Sequence, residues 1–486
     1  MLKHLIILGG AFAGFFLLAR GVAWYGPYTY DQADYMYAVS LGWKANAFDT
    51  PSMPLADFMK TGMGRGRDPG SRADLSAEIR GSNDVLFYRH WHGPLYGYWL
   101  SLTQRITADA RAKRKLNYIF SGAAAILLYF GALWVLEGTA GQIAAILALI
   151  LYLWSYAVVK SSELAPHQLF AVLVVADLLL LAKMFDAGER ARRYWYAAVV
   201  VSALAFCVLE VAFALILTVL LCGWAARETL KPDWGLAMRS LGAFLGTVLI
   251  CWPAAVLKLS PVKSYLFMAY LAIFRKAAWG DELSLGATWR LRLLNSPVPW
   301  LLLAVGAVYF LKRRRTVSRL TPFAVFSVLM FLATFRVTTN VARYELPLLP
   351  GVVLLGSFAT ALVLADWTPT RRNTAVAILG AAMLVTSWPA IRSQLSDPVQ
   401  QTDTILALLR EHQADVGRRA LLVPHEHLPM LHYYFPEMQF LTYYDESEIA
   451  GQVRAGNIVG VLTRSNPPRL VQSFIQGFGQ IQPRAQ

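Results

Sequence analysis

The chain has 486 residues, of which 56% are hydrophobic and only 15% are charged. Because an ordinary soluble domain carries about 25% charged residues, this composition excludes a soluble globular protein and predicts a multi-span membrane protein. A net charge of +15 would suggest nucleic-acid binding in a soluble protein, but in a membrane protein Lys and Arg accumulate in cytoplasmic turns, so we expect no nucleic-acid partner.

Apolar runs that approach the ~20 residues of a membrane-spanning helix recur along the chain, and they predict an all-α polytopic membrane bundle with roughly 11 spans. No clean cleavage site precedes Trp24, so the first run is expected to be an uncleaved span rather than a signal peptide. The runs lie near residues 4–25, 116–137, 140–160, 168–185, 194–209, 211–225, 240–257, 298–311, 320–336, 346–365 and 374–390.

Basic residues in the turns between these runs predict the orientation of the bundle. The clusters at 192–193, 312–315 and 371–372 are cytoplasmic if residues 94–106 do not cross the membrane, and all three face outward if these residues do. The first topology leaves one basic cluster, at 111–115, on the outer side, whereas the second leaves three there. The first is therefore the smaller departure from the tendency of basic residues to lie on the cytoplasmic side. Apolar residues of this segment also recur on one helix face, which is typical of a helix lying in the membrane surface. They are Leu95, Tyr98, Trp99, Leu102 and Ile106.

With this topology the N-terminus is cytoplasmic, and both the first loop (26–115) and the tail are external. The tail is less hydrophobic and contains short apolar strands between helix-like stretches, which predicts a small α/β domain with a parallel sheet. We therefore divide the chain into a membrane domain, 1–390, and an external domain, 391–486. The predicted strands are Ala420–Val423, Gln439–Tyr443 and Ile458–Leu462.

The first external loop carries two short signatures, DQADY at 31–35 directly after the first span and RHWHGPLY at 89–96 where the loop closes. Together they resemble the first loop of the GT-C glycosyltransferases, in particular the branch of the protein O-mannosyltransferases and the aminoarabinose and galacturonic acid transferases of lipid A. That branch carries D-E-A-x-Y and H/K-P-P-L-Y motifs, so Gln32 replaces the usual Glu and Gly93 replaces one Pro. The stretch RYELP at 343–347 resembles the family's R-Y-x-L-P-x-x-P element.

The resemblance implies a GT-C-like membrane glycosyltransferase on the periplasmic face of a bacterial-type inner membrane. Its donor would be a polyprenyl-phosphate-linked hexose or pentose, and its acceptor would be a hydroxyl on a lipid, a glycan or a protein. The surrounding membrane lipids would be a further partner. Asp31 matches the first acid of the motif and would be the base that takes the proton from the acceptor hydroxyl. From the residues alone, Asp31 also suits the N-cap of a helix over 32–41.

Five further residues are candidates for holding the donor through its phosphate. Arg343 and Tyr344 belong to the RYELP stretch, and a guanidinium suits a lipid phosphate because its planar fork binds two oxygens. Lys263 lies in the basic external loop 258–297. For both Lys263 and Arg343, the alternative to binding the donor phosphate is contact with lipid headgroups. His90 and His92 share a face of an extended segment. For this pair, phosphate contact, a metal and a plain interfacial position all stay open.

Glu163 and His167 lie in a short external loop, and in the family an acid from this loop approaches the first-loop Asp. Their spacing puts both side chains on one helix face, provided that Pro166 does not end the helix. With Asp31 they are candidates for a divalent metal site or for positioning the donor phosphate, although the uncharged Gln32 leaves little negative charge for a metal. The alternative is an ordinary polar pair at the interface. The cysteines all lie in apolar runs and predict neither a disulfide framework nor a metal site; they are Cys207, Cys222 and Cys251.

A transporter or flippase of lipid-linked sugars would share the basic and aromatic external loops. Such proteins tend to show repeated halves and spans broken by Gly or Pro at mid-membrane. The sequence shows no such halves, and its polar residues gather on one side, which favours an external active site. A scaffold recruited through the tail is a third interpretation, and it predicts no dependence on lipid phosphate.

Overall fold

The computed structural model places the chain in two compact units. The first contains Met1–Trp24, Arg114–Val256 and Tyr265–Leu395, and the second contains Tyr25–Lys113, Leu257–Ser264 and Ser396–Gln486. The division into domains 1–390 and 391–486 stays a prediction. The structure describes residues 2–19, 28, 30–40, 42–48, 92–161, 163–257, 265–266, 284–313, 318–335, 337, 342–393, 405–407, 409–411, 413, 420–424, 428–443 and 458–461.

Helices dominate the described chain, and the longest of them follow the predicted apolar runs. Such runs become helical in lipid because a helix satisfies its own backbone hydrogen bonds. In chain order the helices are α1 (Leu2–Ala19), α2 (Tyr30–Ser40), α3 (Gly42–Phe48), α4 (Leu95–Ile106), α5 (Ala110–Val135), α6 (Gly138–Leu153), α7 (Tyr156–Lys160), α8 (His167–Met184), α9 (Ala191–Phe206), α10 (Ala212–Ala225), α11 (Arg227–Leu230), α12 (Trp234–Cys251), α13 (Pro253–Leu257), α14 (Leu285–Asn295), α15 (Pro297–Arg313), α16 (Thr321–Thr334), α17 (Leu349–Leu364), α18 (Pro369–Ser393) and α19 (Leu428–Tyr434).

Four of the described helices, α1, α5, α8 and α12, are long and apolar enough to cross a membrane. A fifth candidate arises if α14 and α15, which meet at an angle of 97°, form one broken span. Other apolar helices, including α6, α10 and α17, are shorter. The predicted class, a helical membrane bundle, is therefore confirmed, and the number of spans stays a prediction.

Two glycines allow α15 and α17 to pack closely in the first unit. A Cβ on Gly306 would lie 2.8 Å from the carbonyl oxygen of Leu355, and a Cβ on Gly356 would lie 2.9 Å from the Cβ of Leu302. Small residues at such contacts favour association in lipid, where van der Waals packing replaces the hydrophobic effect between helices. Alanine at either position would force the two helices to shift.

The segment over 94–106 forms the 12-residue helix α4 in the second unit. At ~1.5 Å per residue it is ~18 Å long, too short for a hydrocarbon core of ~30 Å. Tyr96, Leu100 and Thr103 are buried, whereas Leu102 is 50% exposed and Ile106 is 64% exposed. An amphipathic helix with exposed apolar side chains fits the predicted position in the membrane surface.

The tail contains the predicted parallel sheet, which lies in the second unit. Its strands are β1 (Ala420–Pro424), β2 (Gln439–Tyr443) and β3 (Ile458–Val461), in the order β2-β1-β3. Both neighbours run parallel to the central strand β1, with Ala420 opposite Gln439. In the same unit α2 packs against α19 of the tail, as well as against α3 and α4. The helix that carries Asp31 is therefore supported by the tail.

Candidate active site

Arg343 and Glu163 form an ion pair in the first unit. Arg343 lies in the short 3₁₀ helix Ala342–Tyr344 before α17, and its Nη1 donates to Oε2 of Glu163 at 2.8 Å. The arginine side chain is 13% exposed and the glutamate side chain is 41% exposed, so solvent reaches the pair mainly from the glutamate side. Nδ2 of Asn117 donates to the carbonyl oxygen of Glu163 at 3.0 Å, which fixes the loop before α8.

The ring of Tyr344 contacts Arg343, and the ring of His167 contacts Tyr344, which makes a cluster of four predicted site residues. The guanidinium carbon of Arg343 lies 5.1 Å from the ring centroid of Tyr344, and Nη2 lies 3.4 Å from the Tyr344 hydroxyl. The rings of Tyr344 and His167 meet edge-on, with centroids 5.4 Å apart and an interplanar angle of 87°. The structure therefore brings together Glu163, His167, Arg343 and Tyr344.

The proposed shared helix face of Glu163 and His167 is wrong. α8 begins at His167 with Pro166 at its N-cap, so Glu163 lies in the preceding loop. Proline has no N–H to donate and its ring clashes with the preceding turn, so it is tolerated at a helix start and not in the interior. Glu163 and His167 belong to one cluster because each contacts the RYELP stretch, not because of their spacing.

A second pair of charges lies beside the first and was missed by the sequence analysis. Nε of Arg292 lies 4.0 Å from Oε1 of Glu345, and Nη2 of Arg292 donates to the carbonyl oxygen of Val337 at 3.0 Å. Burial raises the pKa of Glu345 to about 7, and the charge of Arg292 opposes this rise. The separation is long for a charge-assisted hydrogen bond, which explains why burial prevails. The available signals were the position of Arg292 in the basic loop 258–297 and a carboxylate two positions after Arg343.

Tyr35 joins the two signatures of the first loop within the second unit. It lies on α2, and its ring centroid is 5.7 Å from that of His92 and 5.7 Å from that of Tyr96. The DQADY and RHWHGPLY stretches are therefore neighbours in space. Asp31 is the second residue of α2, which begins at Tyr30, so it lies within the first turn of the helix rather than before it.

The start of α2 is attached to α19 of the tail through Tyr28. The backbone N–H of Tyr28 donates to the hydroxyl of Tyr434 at 2.5 Å, and its ring lies edge-on to that of Tyr433 with centroids 5.6 Å apart. On the ring of Tyr28, Nζ of Lys113 lies 5.8 Å from the centroid. Tyr434 thus holds the backbone three residues before Asp31.

Part of the predicted site lies outside the described residues. His90 and Lys263 belong to this part, as does the side chain of Asp31. Their roles stay predictions.

Comparison with protein-family models finds no match for the sequence, and comparison with curated proteins finds none. Solved structures do match. The archaeal oligosaccharyltransferase AglB from Archaeoglobus fulgidus, in complex with an inhibitory peptide and a dolichol-phosphate, has a TM-score of 0.58 at 12% identity, covering 94% of this chain and 69% of that one. ArnT from Cupriavidus metallidurans bound to undecaprenyl phosphate has a TM-score of 0.52 at 13% identity, covering 86% of each chain. The chain has the GT-C fold.

A third GT-C structure, the Archaeoglobus fulgidus oligosaccharyltransferase in complex with Zn and sulfate, has a TM-score of 0.52 at 14% identity. The match covers 76% of this chain and 59% of that one, so the chain spans less than two thirds of that protein. The fold implied by the resemblance of the loop signatures is therefore confirmed.

The residues that the structure describes do not by themselves form a metal site. Among them, no group of three His, Cys, Asp or Glu side chains lies close enough to hold one. The carboxylate of Glu163 is bonded to Arg343, and the ring of His167 packs against Tyr344. Divalent cations need several oxygen or nitrogen ligands converging on one point. The described members of the predicted metal site do not form such a set.

This cluster of four residues has the chemistry of a site for an anion. Its positive charge comes from Arg343 and is partly neutralised by Glu163. A guanidinium held by one carboxylate has its orientation fixed, and it can still bind an anionic oxygen from another direction. A fixed positive charge of this kind stabilises negative charge that develops on a departing group.

Proposed function

We propose that this GT-C chain is a membrane glycosyltransferase that moves a sugar from a polyprenyl-phosphate donor to an acceptor hydroxyl. The observation that carries the proposal is the Arg343–Glu163 pair packed against Tyr344 and His167. Two proteins of the same fold have dolichol-phosphate or undecaprenyl phosphate bound. A lipid phosphate is therefore the ligand that we assign to Arg343, with Tyr344 and His167 beside it.

In the proposed reaction the acceptor oxygen bonds to the anomeric carbon while the bond between that carbon and the phosphate oxygen breaks. Asp31 takes the proton of the acceptor hydroxyl, and the electron pair of the broken bond stays on the phosphate. Arg343 stabilises this charge, and Glu163 orients the guanidinium. The products are the glycosylated acceptor and free polyprenyl phosphate. The acceptor is a lipid, a glycan or a protein, and the sugar is a hexose or a pentose.

We place the reaction on the periplasmic face of a bacterial-type inner membrane, with a cytoplasmic N-terminus. The support is the set of basic turns at 192–193, 312–315 and 371–372. Single cysteines introduced at 314 and 450 into a cysteine-free chain test this topology with a membrane-impermeant thiol reagent. Only position 450 should react in intact cells. A reaction at position 314 would show that the opposite topology is correct.

The activity itself is tested with the purified protein in liposomes. Polyprenyl phosphates that carry labelled hexoses or pentoses are supplied with membrane extract as the acceptor source. Release of free polyprenyl phosphate, together with transfer of the label, supports the proposal. Movement of the intact labelled donor across the bilayer without cleavage would instead identify a transporter. Arg343→Ala should lower transfer by about 10²–10³-fold without changing the amount of folded protein.

A further inference from the structure

A cavity of about 640 Å³ lies between α9, α10 and α12 in the first unit. Arg192, at the start of α9, binds the loop before α12. This contact shows that the start of α9, the end of α10 and the start of α12 lie at the same end of the bundle. The helix α8 begins beside the Arg343–Glu163 pair and ends shortly before α9 begins. The cavity and this pair therefore lie at opposite ends of the bundle.

The walls of the cavity are apolar, and one side is open. Nε1 of Trp195 donates to Oγ of Ser240 at 2.8 Å, which fixes the ring in the wall. Gly223 leaves room for this ring, since a Cβ there would lie 2.5 Å from it. Leu220 is 57% exposed and Leu241 is 50% exposed, so the groove opens sideways, toward lipid. Other lining residues are Val199, Val219, Leu236 and Phe244.

The lining carries two charged side chains, and their surroundings differ. Asp233 is paired with Arg192, whose Nη2 lies 3.2 Å from Oδ2. Arg227 packs on Trp224, with its guanidinium carbon 5.1 Å from the ring centroid. Among the described residues no carboxylate pairs with Arg227. The guanidinium of Arg227 thus lies on the ring of Trp224 at the mouth of an apolar groove. Tryptophan is a side chain that membrane proteins concentrate at the level of the lipid headgroups.

We propose that this groove binds an anionic membrane phospholipid, with an acyl chain between α9, α10 and α12 and the phosphate at Arg227. The cavity volume falls within the ~300–1,000 Å³ of ordinary ligand pockets. The apolar walls suit a hydrocarbon chain, and the sideways opening admits one from the surrounding leaflet. The guanidinium suits the phosphate, and an anionic headgroup matches the charge that the protein leaves uncompensated. This site goes beyond the proposed transfer reaction, which we place at the other end of the bundle.

Native mass spectrometry of the full chain in detergent micelles tests the site. Phosphatidylglycerol and phosphatidylcholine with identical acyl chains are offered at equal concentration. We expect at least about tenfold greater retention of phosphatidylglycerol, and Arg227→Ala should lower that retention to the phosphatidylcholine level. Arg193→Ala is the matched control, because Arg193 is exposed, lies in the neighbouring basic turn and does not line the cavity.

A second variant tests the acyl-chain part of the site. Ala237 is exposed and lines the groove, so Ala237→Trp fills the space with little disturbance of the core and should abolish retention. If that variant aggregates, Leu220→Trp fills the groove from the facing helix. Equal retention of both lipids, or equal losses in the Arg227 and Arg193 variants, would overturn the headgroup contact. Undiminished retention in a folded groove-filling variant would overturn the groove as the binding site.

Discussion

Arg343 and Glu163 lie 180 positions apart in the sequence and meet in an ion pair of 2.8 Å. The pair joins the loop before α8 to the 3₁₀ helix before α17. Because the Glu163 side chain is 41% exposed, a pair of this kind contributes only about 0–1 kcal/mol to stability. Its main consequence is geometric, since it holds the guanidinium in one orientation beside the ring of Tyr344, which in turn packs against His167.

Replacement of Arg343 should weaken both donor binding and turnover. Lysine keeps the charge but loses the planar fork that reaches Glu163 and the Tyr344 hydroxyl. We expect a loss in kcat/KM of about tenfold for Arg343→Lys and of about 10²–10³-fold for Arg343→Ala. Donor titrations on purified variants measure both, with Arg319→Ala as the control because Arg319 also forms a partly exposed ion pair. Near-normal kinetics in both variants would remove Arg343 from the site.

Glu163→Gln should keep the hydrogen bond to Arg343 and remove the opposing charge. The guanidinium then attracts the donor phosphate more strongly, so the donor KM should fall or stay within about twofold, with little change in turnover. Glu163→Ala removes the bond as well and should raise the donor KM. Steady-state kinetics of the two variants separate charge from orientation. A loss of turnover above about tenfold in the Gln variant would mean that Glu163 takes part in the chemical step.

Asp31→Asn should lower turnover by about 10²–10⁴-fold, because the amide keeps the size of the side chain and cannot accept a proton. Donor binding, measured with unsubstituted polyprenyl phosphate, should be unchanged. Asp34→Asn, on the same helix, is the matched control. If the Asp31 variant retains more than about a third of wild-type turnover, the base must be sought at Asp34 or Glu163.

Tyr434→Phe should impair the reaction through the position of α2. The variant removes the acceptor of the Tyr28 N–H, which costs about 0.5–1.5 kcal/mol for an ordinary hydrogen bond. Turnover should fall while the affinity for polyprenyl phosphate is retained, because Tyr434 acts through the helix that carries Asp31. Tyr433→Phe keeps its ring contact with Tyr28 and serves as the control. An equal loss in both variants would indicate a general defect of the tail.

Glu345 should make stability depend on pH. Its pKa in the folded protein is raised from 4.5 to about 7, so the fold favours the protonated carboxyl. The resulting stabilisation is complete below pH 4.5 and is lost as the pH rises through about 7. In Glu345→Gln this loss should disappear, so the unfolding temperature of the wild type should fall relative to the variant as the pH is raised through this window. A constant difference between the two proteins would contradict the raised pKa.

Much of the secondary structure could be predicted because it depends on local composition. Apolar runs become helices in lipid whatever their neighbours are, since the backbone must satisfy its own hydrogen bonds. The strands β1 and β2 were predicted from short apolar stretches in a polar tail, to within one residue. The run over 140–160 shows the limit of this reasoning, because it breaks into α6 and α7 and Ser155 caps the second helix through its side chain.

The members of the candidate site could be predicted from the sequence, whereas their contacts are decided by the tertiary structure. Residue types and motifs were enough to select Arg343, Tyr344, Glu163 and His167 as candidates, because phosphate chemistry restricts which side chains are useful. Helical spacing suggested the wrong relation between Glu163 and His167. Their true relation passes through a stretch about 180 positions away, and no sequence period encodes such a contact. The pairing of Arg292 with Glu345, and of Tyr28 with Tyr434, likewise exists only because packed helices bring distant loops together.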